Sequence, residues 1–523
     1  MKKLIPLLLL SFVFINTLAQ NVSIVPGGIT PLVPRLSYKA ILDISSPKVG
    51  DLAVDTTYNC MRFYNGNKWV YFLTSEDTQL PDKIQQMGGP TDDLAYSVAV
   101  DASGNAYITG YFTGTAIFGN IQVVSYGGGD AFVAKCNAAG EVLWVRRIGG
   151  PSYFDVGMSV TVDNLGYAYV TGAFKGTATF EGYGNISSNT NSYDVFIIKY
   201  DPSGNVSWVS NAGGTLTDAA NDIVLDNNGN GYITGYFNGS AYLGSSLTSA
   251  GGSDFFIAKF STSSGTLSAA IGGGGTADDS GKSIIFDGTS VYICGTFQGT
   301  ASIGTSNSTS NGGKDIFLAK YSTALGFTRK LVLGGTADDE AGDLTYINKV
   351  FNMGGSLADG GVIFSGWFAS SSMSLGSMAL TSSGARNMCL IKLTPLFDVA
   401  WANSITSGAD NEGHGVVGDT EGNIYVTGYY KANSIIGPQV LASNGNSEKK
   451  IYYAKYNYEG NLLSAKAPTS NSAYSEGFGT FLDTKGVLHI VGYFAGSLTI
   501  GTHSLTSAGT TDVIHWSILE KRL

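Results

Sequence analysis

Charge is scarce in this chain: Asp, Glu, Lys and Arg together make up 13% of its 523 residues. The 30 basic residues form no cluster, and 40 acidic ones leave a net charge of −10. A nucleic-acid binder needs a basic stripe, and an anionic membrane surface asks for the same, so neither is an expected partner. Proline (12) and histidine (4) are also few. Disordered chains are rich in Pro and charge and poor in aromatics, whereas 12% of this chain is aromatic, which excludes global disorder. The 4 cysteines, Cys60, Cys136, Cys294 and Cys389, have no CxxC spacing and no neighbouring His. Neither a zinc site nor a disulfide framework is implied. Cys294 and Cys389 replace a Thr and an apolar residue of recurring strands, so packing is their expected role.

Long apolar runs are missing beyond the first residues, where Met1-Lys2-Lys3 precedes the apolar stretch Leu4 to Phe14. Small residues at Thr17 and Ala19 complete the pattern of a secretory signal peptide over residues 1–19. The run is too short to span a bilayer core of about 30 Å. The mature chain is therefore expected to be exported: secreted, at the cell surface or in the periplasm.

What the chain has in abundance is glycine, 71 residues, with 29 Tyr and 26 Phe. The glycines follow no three-residue period, so collagen is excluded, and many short strands joined by tight turns are indicated. A strand ending in Gly and an aromatic recurs: Tyr107-Ile-Thr-Gly-Tyr-Phe112, Tyr169-Val-Thr-Gly-Ala-Phe174, Tyr232-Ile-Thr-Gly-Tyr-Phe237, Tyr292-Ile-Cys-Gly-Thr-Phe297, Val362-Ile-Phe-Ser-Gly-Trp-Phe368, Tyr425-Val-Thr-Gly-Tyr-Tyr430 and His489-Ile-Val-Gly-Tyr-Phe494. Its marker glycines, from Gly110 to Gly492, are separated by 62, 63, 60, 71, 62 and 64 residues. Each unit runs from a Gly-Gly acidic turn (Gly88-Gly89-Pro-Thr-Asp-Asp93) through a first strand and an Asp-x-x-Gly-Asn turn to the marker strand. A longer connection, a third strand (Asp130-Ala-Phe-Val-Ala-Lys135) and an outer strand follow. Four strands per unit without 3.6-residue periodicity predict an all-β fold, a seven-bladed β-propeller of four-stranded antiparallel blades over residues 81–523. The last unit ends after its third strand, and Asp82–Met87 matches the missing outer strand, so the N-terminal strand is expected to close the ring. Residues 20–80 read as a small β-rich N-terminal module, with strands expected over Ala40–Ser46, Gly50–Thr57 and Arg62–Val70 and a hairpin at Asn65-Gly66.

The Gly-Gly-x-x-Asp-Asp turn, Val-Asp-x-x-Gly-Asn-x-Tyr-x-Thr-Gly and Gly-Gly-x-Asp-x-Phe-x-Ala-Lys resemble the bacterial seven-bladed beta-propeller repeat family, often called SBBP repeats. The fifth unit departs, with about ten extra residues around Lys349–Gly361 and Asn387 in place of Asp. The resemblance implies an exported propeller and supplies no catalytic residues.

Polar residues repeated from unit to unit, such as Asp101 and Lys135, each present in six of the seven, cannot all meet one substrate and are assigned to turns and interstrand pairs. The Asp-x-x-Gly-Asn turns lack the bidentate Glu of a calcium loop, no phosphate loop is present, and no cofactor or metal is implied. His489 and His515 are expected to pack. Variation from unit to unit is the better guide. Three residues past each acidic turn stand Tyr96, Met158, Asn221, Lys282, Gly342, His414 and Phe478, expected to ring one mouth of a central channel and to form a ligand site. The long connections are expected on the same face. The favoured function is a non-enzymatic exported binding, adhesion or scaffold protein contacting protein or glycan. The alternative is a polysaccharide-active lyase or hydrolase using the off-pattern acids Asp222, Asp343 and Glu412, the first two facing the channel.

Overall fold

The computed structural model describes residues 82–519 except 227, 349, 352–356, 359, 377, 383–384, 444–447 and 471–473, together with parts of 22–71. The expected signal peptide lies outside the described residues. By compactness the chain divides into a large unit, 82–483 with 488–517, and a small one, 1–81 with 484–487 and 518–523. Among the described residues no helix is long and apolar enough to cross a membrane.

In the large unit, alternation of apolar residues gives four-stranded antiparallel meanders. The first comprises Asp93–Val100, Ala106–Phe112, Asp130–Cys136 and Val142–Gly149. Six more begin with Val156–Val162, Ala219–Leu225, Ser280–Phe286, Asp339–Ile347, Asn411–Gly418 and Ser475–Leu482. Each of these first strands packs against those of the two neighbouring sheets, and Ser475–Leu482 against Asp93–Val100 completes the circle. In the seventh sheet the outer strand is Lys83–Met87, paired with Asp512–Leu519 in the register Met87↔Val513 to Lys83↔Ser517. Apolar side chains from facing sheets fill the spaces between them: Phe112, Phe118 and Phe132 are buried together with Met87 and Val513. Cys136, Cys294 and Cys389 are buried free thiols in these layers.

Three features differ from expectation. The longer connection is itself a hairpin, Thr115–Phe118 with Ile121–Val124, turning at Gly119 (φ +59°). In four of the later sheets its counterpart pairs with the outer strand of the preceding sheet, as Phe180↔Ile148 does, so neighbouring sheets share backbone hydrogen bonds. The recurring lysines serve mainly as ties to the next sheet rather than as ion pairs. Lys135 Nζ and Trp144 Nε1 both donate to Pro202 O, at 2.9 and 3.2 Å, and Lys199 and Trp208 likewise share Thr262 O. Lys135 also stands 3.8 Å from Asp101, whose Oδ1 caps its own turn at Ser103 N and Asn105 N.

The third feature is a set of buried carboxyl couples between sheets. The Asp opening a first strand faces the Asp opening the third strand of the preceding sheet: Asp93 with Asp512, Asp155 with Asp130, Asp218 with Asp194, Asp279 with Asp254, Asp339 with Asp315. All ten are buried. Gly213 (φ +155°) sits between one couple: a Cβ there would lie 2.8 Å from Asp218 Oδ2 and 2.9 Å from Asp194 Oδ1. Burial foremost, then the facing carboxylate, pushes Asp93, Asp155 and Asp218 up to about 7 and Asp279 up to about 6. Backbone amides hold both oxygens of each first-strand member, as Gly89 N (2.6 Å) and Thr113 N (3.3 Å) do for Asp93, but Oδ1 of Asp130, Asp254, Asp315 and Asp512 has no partner. At the other two junctions both members change: Asn411 Nδ2 donates to Asn387 Oδ1 at 3.4 Å, and Ser475 and Lys450 stand at the corresponding positions of the last.

In the small unit, Val22–Val25 pairs with Gly28–Pro31, and Arg35–Leu36, Leu52–Asp55, Cys60–Tyr64 and Trp69–Tyr71 form a four-stranded sheet. Gly66 (φ +101°) lies in the turn between the last two strands. The described residues of the Ala40–Ser46 stretch form no strand: Ala40 and Ile41 are helical and Ser46 has φ +61°. The buried Ile41 packs with Ala53.

Candidate functional site

Every one of the seven variable positions falls on a β-bulge. Pairing skips from Ala95 to Ser97 around Tyr96, and likewise around Met158, Asn221, Lys282 and Phe478. In the fifth and sixth sheets the skip takes two residues, Gly342-Asp343 and His414-Gly415. A bulge leaves its extra residue out of the ladder and re-aims its side chain. The marker glycines belong to the same device. Gly110 pairs with Ala95 beside the bulge, and a Cβ on it would lie 1.9 Å from Leu94 O; at Gly492 the same distance separates it from Glu476 O. Any larger residue would push the bulged strand away, which is why the glycine recurs inside a strand.

Three of the candidates come together. The rings of His414 and Phe478 lie 5.2 Å apart, as do those of Phe478 and Tyr96. Tyr429, Tyr493 and Tyr111, each following a marker glycine, back them at 6.1, 5.9 and 6.1 Å. Glu476 is buried beneath this aromatic arc. Its Oε1 meets His414 Nε2 at 2.8 Å, and its Oε2 accepts from Lys449 Nζ (2.8 Å) and Tyr493 OH (2.9 Å). Burial opposes the charge of Glu476, but His414 and Lys449 outweigh it and hold the carboxyl down to about 2. Glu412 accepts from Tyr429 OH at 2.7 Å and Arg386 Nη1 at 2.8 Å.

Glu412, His414 and Glu476 bring ligand atoms within 4.8 Å of one another, the spacing of a metal site. The donor set does not fit a dication well. Lys449 and Arg386 already neutralise the two carboxylates, and an incoming cation would meet both positive heads. Sequence reading missed this charge lattice, although it left a trace. A base before the third strand and an acid at the second residue of the next first strand recur in three successive sheets: Lys314–Glu340 at 3.0 Å, Arg386–Glu412 at 2.8 Å and Lys449–Glu476 at 2.8 Å.

The remaining candidates lie elsewhere on the circle. Asn221 Nδ2 donates to Gly281 O at 2.7 Å and Ser280 Oγ at 3.2 Å, joining the third and fourth sheets. Lys282 lines a cleft of about 360 Å³ with Tyr236, Asn238, Ser253, Asp278, Ser280, Thr296, Lys314 and Glu340. Met158 and Gly342 are half-buried and join neither cluster. The off-pattern acids are fastened into the inner strands. Asp222 accepts from Ser159 Oγ (2.7 Å), Ile223 N (2.8 Å) and Ile284 N (2.8 Å), and Asp343 from Ser283 Oγ (2.7 Å), Leu344 N (2.7 Å) and Val416 N (3.0 Å). Each carboxylate pins three successive first strands; burial first, then Asp222, pushes Asp343 up to about 7. Their bonds are those of structural pins. His489 and His515 stack with Nδ1 and Nε2 3.0 Å apart, and His515 Nδ1 reaches Gln85 Oε1 of the closing strand at 2.9 Å.

Among solved structures, the chain is similar to the Pan2 WD40 domain of Neurospora crassa (10% identity, 83% of this chain and 95% of that one, TM-score 0.37). It is also similar to Sqt1 of Chaetomium thermophilum (8% identity, 78% and 97%, TM-score 0.38). A curated relative, an uncharacterized WD repeat-containing protein of Acanthamoeba polyphaga mimivirus, is 23% identical over 442 residues, 70% of this chain. The chain spans about a third of that protein's length, 31%. The family model described as SBBP, beta-propeller repeat, matches residues 82–115 and 143–173, so the all-β structure carries recognisable beta-propeller repeats.

Proposed function

We propose that this chain is an exported seven-bladed β-propeller, preceded by a small β-rich module over residues 20–80, that binds protein or glycan through one face without catalysing a reaction. The observation that carries the reading is the set of seven equivalent bulges bearing unlike side chains on one rigid frame. Seven sheets packed first strand to first strand in a circle support the blade count. Beta-propeller and WD-repeat likeness favours an interaction scaffold. Variable residues on a fixed framework are how such scaffolds acquire specificity. Tyr96, Phe478 and His414 form an aromatic anchor, rimmed by Arg386 and Lys449, of the kind that dominates binding energy at interfaces.

The test is binding of the full chain to a glycan array and to surface-protein extracts, compared with the double variant Tyr96→Ala, Phe478→Ala. Loss of two anchors should weaken binding by about 2–4 kcal/mol while the melting temperature changes little, since bulge residues make no ladder pairs. Undiminished binding to every target would remove the aromatic arc from the interface. Export is checked by fractionating cells that express the full-length chain; retention in the cytoplasm contradicts it.

A further inference from the structure

The residue after each marker glycine forms a second series around the circle: Tyr111, Ala173, Tyr236, Thr296, Trp367, Tyr429 and Tyr493. Five are aromatic. At Thr296 the missing ring coincides with the 360 Å³ cleft, which lies between Tyr236 on one side and Glu340 and Lys314 on the other. The volume is at the lower end of the range that holds small ligands.

The cleft is lined by hydroxyls, an amide and charged heads, with one aromatic wall. Lys314 is committed to Glu340 Oε1 at 3.0 Å, and Asp278 Oδ1 accepts from Ser253 N and Ser253 Oγ at 3.0 and 3.3 Å. Lys282 differs. Its bulge turns it toward the cleft, and among the described residues no carboxylate lies within 4.0 Å of its Nζ. A half-buried ammonium without a counter-charge is costly unless an anion completes it. Glu340 and Asp278 supply acceptors for hydroxyl donors, and the Tyr236 ring offers a flat surface for a pyranose face.

We propose that the cleft between the third, fourth and fifth sheets binds a uronic-acid residue of an acidic polysaccharide, its carboxylate on Lys282, its hydroxyls on Glu340 and Asp278, and its ring against Tyr236. This rests on the binding function proposed above and names a ligand class for one arc of the same face.

The experiment is calorimetric titration of the full chain with short oligogalacturonate and with its methyl ester. The acid should bind, and the ester should bind at least about tenfold more weakly, since esterification removes the charge-assisted contact. Lys282→Gln should lose about tenfold toward the acid and nothing toward the ester. Thr296→Tyr should abolish binding of both; a ring at this position already stands in five sheets, so folding is preserved. Equal binding of acid and ester, an unaffected Lys282→Gln variant, or no binding of either overturns the proposal. If the cleft variants are silent while the aromatic double variant loses its target, the general binding function stands and this site falls. If neither set alters binding to any target, both fall.

Discussion

Melting at pH 8 should occur on the order of 10 °C below melting at pH 5, the reverse of the behaviour expected of a protein held by ordinary ion pairs. The reason lies in the carboxyl couples between sheets. A carboxyl whose folded value is raised above its unfolded one binds a proton more tightly when folded. Its stabilisation is fully present below about 4 and is lost as pH rises through the folded value. For Asp93, Asp155, Asp218 and Asp343 that value is about 7, and for Asp194, Asp279 and Asp315 about 6. The window is therefore pH 4 to 7. Each unit of displacement is worth about 1.4 kcal/mol, so the three couple members near 7, Asp93, Asp155 and Asp218, account for on the order of 10 kcal/mol. Glu476 acts in the opposite sense: held down to about 2, it contributes above its unfolded value and fails as pH falls further. A stability maximum near pH 5 follows, to be read by thermal unfolding across buffers of equal ionic strength. Asp93→Asn, which places at this junction the residue that Asn411 supplies at its own, should raise the melting temperature at pH 8 and leave it almost unchanged at pH 5. A curve flat from pH 5 to 8 would show that the couples carry no excess proton.

The other large effect is expected at the ring closure. Deleting residues 82–87 should lower the melting temperature by roughly 10 °C or more and promote association. The deletion removes five paired residues and the buried Met87 side chain, and the latter alone is worth about 2–5 kcal/mol. It also strips Gln85 from His515 and from the carbonyl of Gly140, and Gln86 from Asp512. Asp512–Leu519 then becomes an unprotected edge whose Val513 and Ile514 were fully buried. Supplying residues 81–90 as a separate peptide should restore part of the loss. A melting curve equal to that of the full chain would mean that the circle does not depend on this strand.

The all-β repeat architecture was legible because a closed set of equivalent sheets forces equivalent residues to recur, and Tyr107, Gly110 and Phe112 could be followed through seven units. The connecting hairpins escaped because Thr115–Phe118 is short and half-exposed, with only Ala116 and Phe118 turned inward. The bulges were written in the sequence as a glycine inside every marker strand, but a glycine signals close approach without saying of what. Position could be read for Tyr96, His414 and Phe478, since they vary where their neighbours repeat. Partnership could not: Glu476 reaches His414 from 62 residues away and Lys449 from 27, both across the boundary between the sixth and seventh sheets. Asp222 and Asp343 stood out by chemistry alone, and their hydrogen bonds give that chemistry a structural use.

The bulges separate two demands that a strand usually makes of the same residue. An ordinary position must suit both its cross-strand neighbour and its surroundings, so a change there disturbs registry. Tyr96 and its six counterparts have no cross-strand neighbour to satisfy. Their identities can drift independently, one sheet at a time, while the glycine opposite keeps the geometry. A chain built this way can change what it recognises through point mutations alone, without insertions and without relearning how to fold.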